Sequence, residues 1–186
     1  VRDIARRLYR AVRDLPIISP HGHVDPRLLL DDQPFTDPAN LLIQPDHYVT
    51  RLLHAGGVRL DRLGVGAGPL PAEQARAAWR LLCANWHLLR GTPVRYWFDS
   101  EPTEIFGVTE RPSAANADDL YDRIAEQLTR PSHRPRALLR RFGIEFLATT
   151  DDPADDPAAL AALRADPEVT TTVAPTFRPD RYLEPD

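Results

Sequence analysis

Apolar positions along this chain recur with two different periods. Ile4, Leu8, Ala11, Val12 and Leu15 form one helical stripe over residues 2–15, with arginines on the other faces. Leu15-Pro16-Ile17-Ile18-Ser19 then reads as a brief buried strand ending in a polar turn, Pro20-His21-Gly22-His23. From 24 to 135 the pattern is helical but broken. Asp37-Pro38 opens a short helix, because Asp accepts from unpaired first-turn N–H groups and Pro suits the first turn, and Pro45 interrupts it. Asp46 caps a second helix to about Ala55, which Gly56-Gly57 end, and residues 58–70 form a Gly-rich loop. The clearest helix runs from Pro71 to about Arg90, with Ala75, Ala78, Trp79, Leu82, Cys83, Trp86 and Leu89 on one face and Gly91 as its stop. Residues 92–115 read as irregular and Pro-punctuated. Asn116 caps a helix through Leu128 that buries Leu120, Ile124 and Leu128, and a short helix at 135–142 ends at Gly143.

The period then changes. Ile144-Glu145-Phe146-Leu147-Ala148 reads as a strand ending at Thr149-Thr150-Asp151-Asp152-Pro153. Asp156-Pro157 starts a helix to about Arg164, and Val169 to Ala174 is a β-branched strand ending at Pro175-Thr176-Phe177-Arg178. Strand, helix and strand at this spacing make a βαβ unit, and such units build parallel sheets. The fold class is therefore α/β, with a mainly helical insertion after the first strand. The divisions are a first helix and strand over 1–23, the insertion over 24–135, and the second and third strands with their helix over 136–186. All three strands end in polar clusters, at the edge where α/β folds place their chemistry.

Composition narrows the function classes. The 186 residues carry 23 basic and 27 acidic side chains, a net charge of −4, which argues against a broad nucleic-acid surface. Every basic residue is Arg, so a Schiff-base or P-loop lysine is excluded within this chain. A single Cys excludes an internal disulfide or a Cys-rich zinc site. No apolar run approaches the roughly 18–20 residues of a membrane span, and the Arg-rich start lacks the apolar core of a signal peptide, so no membrane partner and a cytoplasmic location are expected. The absence of an initiator Met and the ending at Tyr182-Leu183-Glu184-Pro185-Asp186 suggest a piece of a longer chain.

Two histidines spaced i and i+2 at a strand end point the same way, and two neutral imidazoles can share one divalent metal. His21 and His23 meet that description, against the plainer reading of two surface loop histidines. A complete site needs further ligands. Asp25, Asp151 and Asp152 are near such positions, although Asp-Asp-Pro is also ordinary turn chemistry. His47 and Tyr48 occupy the first turn after Asp46, where the helix dipole favours anions; without more context they read as a solvated His and a packed Tyr, and Asp46 as a cap. Arg178, just past a strand end, suits bidentate carboxylate binding, although in a chain so rich in Arg a surface role is the base expectation. Cys83, between Trp79 and Trp86, reads as packing.

Taken together, five stretches resemble the uronate isomerases (glucuronate isomerase) of the amidohydrolase superfamily. They are Ala5-Arg6-Arg7-Leu8-Tyr9; Pro16 to His23 with its H-x-H pair; Asp46-His47-Tyr48 followed by Arg51 and Gly57-Val58; Thr149 to Pro153; and Pro175 to Asp180. The resemblance implies the N-terminal part of a metal-dependent (β/α)8 TIM-type barrel binding one divalent metal, zinc in most members, and interconverting aldose and ketose uronates through an enediol. It implies His21 and His23 as metal ligands, His47 and Tyr48 at the sugar's reacting end, and Arg178 on the substrate. The expected partner is a small-molecule sugar acid, with no nucleic acid and no membrane, in a homo-oligomer. Where the family has W-x-H-L-E-L before F-G, this chain has Trp97-Phe98-Asp99-Ser100-Glu101-Pro102 before Phe106-Gly107, so Asp99 stands at the family's His. Family members are well over twice this length, and their late-strand Asp, a metal ligand and base, falls beyond Asp186. By itself this chain is expected to bind metal weakly, to lack isomerase activity, and to leave a sheet edge and an apolar face exposed. Two alternatives stay open: a metal-dependent hydrolase on the same barrel, and a non-catalytic remnant that associates through its Trp79 and Trp86 face.

Overall fold

The computed structural model describes residues 1–152 and 154–183; Pro153 and residues 184–186 lie outside the described residues. The chain divides into two compact units, one of residues 1–33 and 134–186 and one of residues 34–133.

The first unit is built on a three-stranded parallel sheet of order β1-β2-β3, with β1 at Ile17–Ser19, β2 at Ile144–Asp151 and β3 at Thr172–Phe177. Ser19 pairs with Leu147 and Asp151 with Phe177, so the three strands run in one direction and their carboxyl ends face one side. Leu147 and Val173 pack with Leu160 and Leu163 of helix α9 (Ala158–Ala165) and with Leu29 of α2 (Pro26–Asp31), forming the small core of this unit. α2 starts where Asp25 accepts from the Arg27 N–H at 2.8 Å and ends at Asp32 in the left-handed region, φ 44°. Its last carbonyls are met by Arg136 in α8 (Pro135–Arg141). The guanidinium donates to Leu29 O at 2.6 Å, Leu30 O at 3.0 Å and Asp166 Oδ2 at 2.7 Å.

Several expectations change here. β1 is not buried: Ile17 and Ile18 are 47% and 58% exposed. Among the described residues it is an edge strand, paired with β2 alone. Helix α1 (Arg2–Val12) forms as its stripe predicts, yet buries no residue, because no apolar surface among the described residues lies against it. The exposed edge and face expected of a piece of a larger fold are therefore present. β2 runs on to Asp151 rather than ending at Ala148. β3 begins at Thr172 rather than Val169, because Val169 N–H closes a turn onto Asp166 O at 3.2 Å and the Thr171 hydroxyl donates to Ile144 O at 2.8 Å. Pro175 sits within this edge strand, where a missing N–H is tolerated.

The second unit is helical: α3 (Pro38–Leu42), α4 (His47–Ala55), α5 (Ala72–Ala84), α6 (Pro93–Phe106) and α7 (Ala117–Leu128), with 3-10 turns at Leu60–Leu63 and Trp86–Leu89. The stripe predicted over 71–90 forms, although its last turn tightens to 3-10 geometry after Ala84. Trp79 and Trp86 are buried inside this unit, with Trp79 Nε1–H donating to Ala117 O at 2.9 Å. That face is occupied by the unit's own core and is not free for association. Asn40 clamps Leu70, accepting its N–H at 2.8 Å and donating to its carbonyl at 3.1 Å. Residues 93–106, read as irregular, are helix. Thr92 caps it, Pro93 fills the first turn, and Val94, Phe98, Pro102 and Phe106 form a buried stripe at i, i+4 spacing. An interior Pro costs about 3 kcal/mol in an isolated helix; burial of that stripe offsets it. Among the described residues no helix is long and apolar enough to cross a membrane.

Candidate functional site

Two residues past β1 the chain turns across the end of β2. The Ser19 hydroxyl donates to His21 O at 3.1 Å, and the Thr150 hydroxyl, at the end of β2, donates to Gly22 O. A Cβ on Gly22 would lie 2.9 Å from Ala148 O and 3.3 Å from a Leu147 methyl, so this close approach requires glycine. Held in this way, the rings of His21 and His23 stand at 87° with centroids 4.8 Å apart, and their Nε2 atoms are 3.1 Å from one another. Two ligands about 2.0–2.1 Å from a tetrahedral ion lie about 3.3 Å from each other, so this donor pair fits one divalent cation. Without a cation the same distance is an N–H···N hydrogen bond with one ring donating. Among the described residues no cluster of three or more His, Cys, Asp or Glu side chains is placed to hold a metal, so the pair is a partial ligand set.

The nearby carboxylates are engaged locally. Asp25 is the α2 cap, and Asp151 accepts from the Thr149 hydroxyl. Asp152 Oδ1 accepts from Ala154 N–H at 2.9 Å, which is turn chemistry as read, and also from the distant Tyr182 hydroxyl at 2.7 Å. A cavity of about 400 Å³ opens beside His23, lined also by Asp25, Arg27, Thr150, Asp151 and Asp156. Arg178 follows β3 directly and is half-buried.

In the helical unit, Asp46 caps α4, accepting from Tyr48 N–H at 2.8 Å and Val49 N–H at 3.2 Å. The His47 and Tyr48 rings lie 4.1 Å apart between centroids, tilted at 35°. Tyr48 is exposed rather than packed in the core. It meets the Trp97 ring in a T-shaped contact at 5.9 Å and the Arg51 guanidinium at 5.8 Å. Burial, and then the neighbouring Asp46 charge, push the half-buried Glu101 carboxyl above the usual range. Asp99 braces α6: Arg95 Nε–H lies 2.8 Å from both its carboxylate oxygens. Burial raises the Cys83 thiol to about 12, as suits a packed, inert group. His54 and His133 bond backbone carbonyls, at Val58 and Ile105.

The sequence reading missed Ser19 and Thr150 as the residues that orient the histidine turn, and Trp97 as the neighbour of Tyr48. The only signal for Thr150 was a pair of hydroxyl residues at a strand end.

The fold has counterparts among solved structures. A crystal structure of glucuronate isomerase from Caulobacter crescentus superposes with a TM-score of 0.90 at 45% identity, covering 96% of this chain and 37% of that one. One of uronate isomerase from Thermotoga maritima gives 0.84 at 27% identity, covering 96% and 38%. The uronate isomerase of Cutibacterium acnes is 55% identical over 181 residues, which is 97% of this chain and 38% of the relative. That of Corynebacterium efficiens is 53% identical over 184 residues, 98% of this chain and 39% of the relative. The glucuronate isomerase family model matches residues 1–186, and the chain belongs to that family. It spans under two-fifths of the length of these relatives.

Proposed function

We propose that the protein carrying this chain is a uronate isomerase that converts D-glucuronate to D-fructuronate and D-galacturonate to D-tagaturonate by proton transfer between C2 and C1 through an enediol. The observation that carries this reading is the convergence of His21 and His23 Nε2 at 3.1 Å, in a chain of the glucuronate isomerase family. These two imidazoles would hold one divalent metal, with zinc the fitting choice for nitrogen donors. When bound, the metal supplies an electrophile for a sugar oxygen. Arg178 offers the planar fork that matches a uronate carboxylate. Tyr48 donates a hydrogen bond to the oxyanion that develops as C2 loses its proton, and His47 beside it holds or passes a proton. The exposed α1 stripe and the free edges of β1 and β3 support a larger (β/α)8 barrel of the amidohydrolase superfamily, of which these are the first three strands. The lone buried cysteine suits a reducing, cytoplasmic location.

The test is turnover. The intact protein, loaded with zinc or manganese, is mixed with each uronate and followed by NMR. Conversion to the ketose is expected, and no turnover of either uronate overturns the reading.

A further inference from the structure

Trp97 is a large aromatic set outside the core. The buried stripe of α6 is Val94, Phe98, Pro102 and Phe106, which leaves Trp97 40% exposed on a neighbouring face. Glu101 lies one turn further along the same face, and its carboxyl senses the charge of Asp46, the α4 cap. The T-shaped contact between Trp97 and Tyr48 sets this face of α6 against the first turn of α4, which carries His47 and Tyr48. The backbone of that turn is already held, because Asp46 accepts the Tyr48 and Val49 N–H groups. The Tyr48 side chain is another matter. It is 51% exposed, and core packing does not select its rotamer. Among the described residues, two rings and a guanidinium lie near its ring. His47 and Arg51 come from α4 itself and move with it, whereas the Trp97 ring, at 76° and 5.9 Å, comes from a separate element. T-shaped contacts of this kind fix one ring's orientation against another.

We propose that Trp97 is a positioning residue for Tyr48: by edge-to-face contact it holds the phenol ring of α4's first turn in the one orientation that presents its hydroxyl to the sugar's reacting end. This rests on the isomerase reading above. A phenol free to rotate meets the developing oxyanion only part of the time, and misplacement of a donor lowers the rate of the chemical step more than it weakens substrate binding.

The experiment uses the intact protein with Trp97→Leu and Trp97→Phe. Two quantities are read: isomerisation kinetics with D-glucuronate, and the ring signals of ¹³C-labelled tyrosine, with Tyr48 assigned by its loss in Tyr48→Phe. Trp97→Leu is expected to lower kcat about tenfold with KM within about twofold, and to shift the Tyr48 signals as the indole ring current disappears. Trp97→Phe, which keeps an aromatic edge, recovers most of kcat. A merely structural Trp97 would not give this split or this rescue. Unmoved Tyr48 signals in Trp97→Leu, or an unchanged kcat in an active enzyme, overturn the proposal. Should Trp97→Leu fail to fold, the wild-type nuclear Overhauser contact between the two rings decides, and its absence overturns the proposal. A wild-type protein that turns over neither uronate sinks the isomerase reading separately, while the Tyr48 signals still report whether the ring is held.

Discussion

The hydroxyl of Thr150 donates to the carbonyl of Gly22 and so ties the carboxyl end of β2 to the turn between the two convergent histidines. The bond holds the backbone between His21 and His23, as an outer partner orients metal ligands. Replacing it with Thr150→Val keeps the β-branched shape and removes the donor. On the proposed metal reading, zinc affinity of the intact protein, measured by competition with a chromophoric chelator, should fall about tenfold or more. An unchanged affinity would mean that the turn is held by Ser19 and chain geometry alone.

Gly22→Ala tests the same turn from the steric side. The added methyl would sit 2.9 Å from Ala148 O, which is backbone and cannot rotate away. The turn must lift from β2 at a cost of about 1–3 kcal/mol, visible as a lower denaturation midpoint. A midpoint equal to wild type would show that the turn is loosely seated.

Arg136→Ala should destabilise the sheet unit by about 3 kcal/mol, because the carbonyls of Leu29 and Leu30 lose a charged donor in a half-buried setting. Asp166 gives this a pH signature. Its carboxyl is held below its usual range, first by the Glu168 N–H and then by Arg136. A depressed folded value means that its contribution is present above the unfolded value, about 3.9, and is lost as pH falls through the folded one. Acid unfolding of the wild type should thus lose part of the Arg136→Ala difference below about pH 4. A difference that stays constant down through that range would remove Asp166 from the explanation.

Glu101 should behave in the opposite sense. Its carboxyl is raised, by burial first and Asp46 second. The folded state therefore binds its proton more readily than the unfolded chain, and stability falls as pH rises from the unfolded value, about 4.3, through the folded one. Glu101→Gln removes that penalty. Its melting temperature should exceed wild type at neutral pH, and the gap should close in acid. A variant less stable at pH 7 would show that the carboxylate has a compensating partner.

Much of this molecule was legible locally. Asp37-Pro38 and Asp46 start helices as read, because capping depends on a few consecutive residues and their hydrogen-bond capacity. The βαβ alternation over 144–177 implied the parallel sheet, whereas the two imidazoles converge in a turn beyond β1, where strand alternation no longer applies. α6 was not legible, because Pro102 reads as a breaker until the buried Phe98 and Phe106 on either side are counted against it. Trp97 showed as a residue shared with the family motif, but its contact with Tyr48 joins positions 49 residues apart, beyond any periodicity.

Local pattern alone set which segments are helix or strand at most positions, where caps such as Asp37 and Asp46 fall, and that paired histidines follow the first strand. The tertiary structure alone decided that the α1 stripe and β1 are exposed, that Thr150 reaches back to Gly22, and that Tyr48 rests against Trp97. The physical reason is one of range: periodicity and capping are written in neighbours a turn apart, whereas burial and orientation depend on what the rest of the chain brings opposite each face.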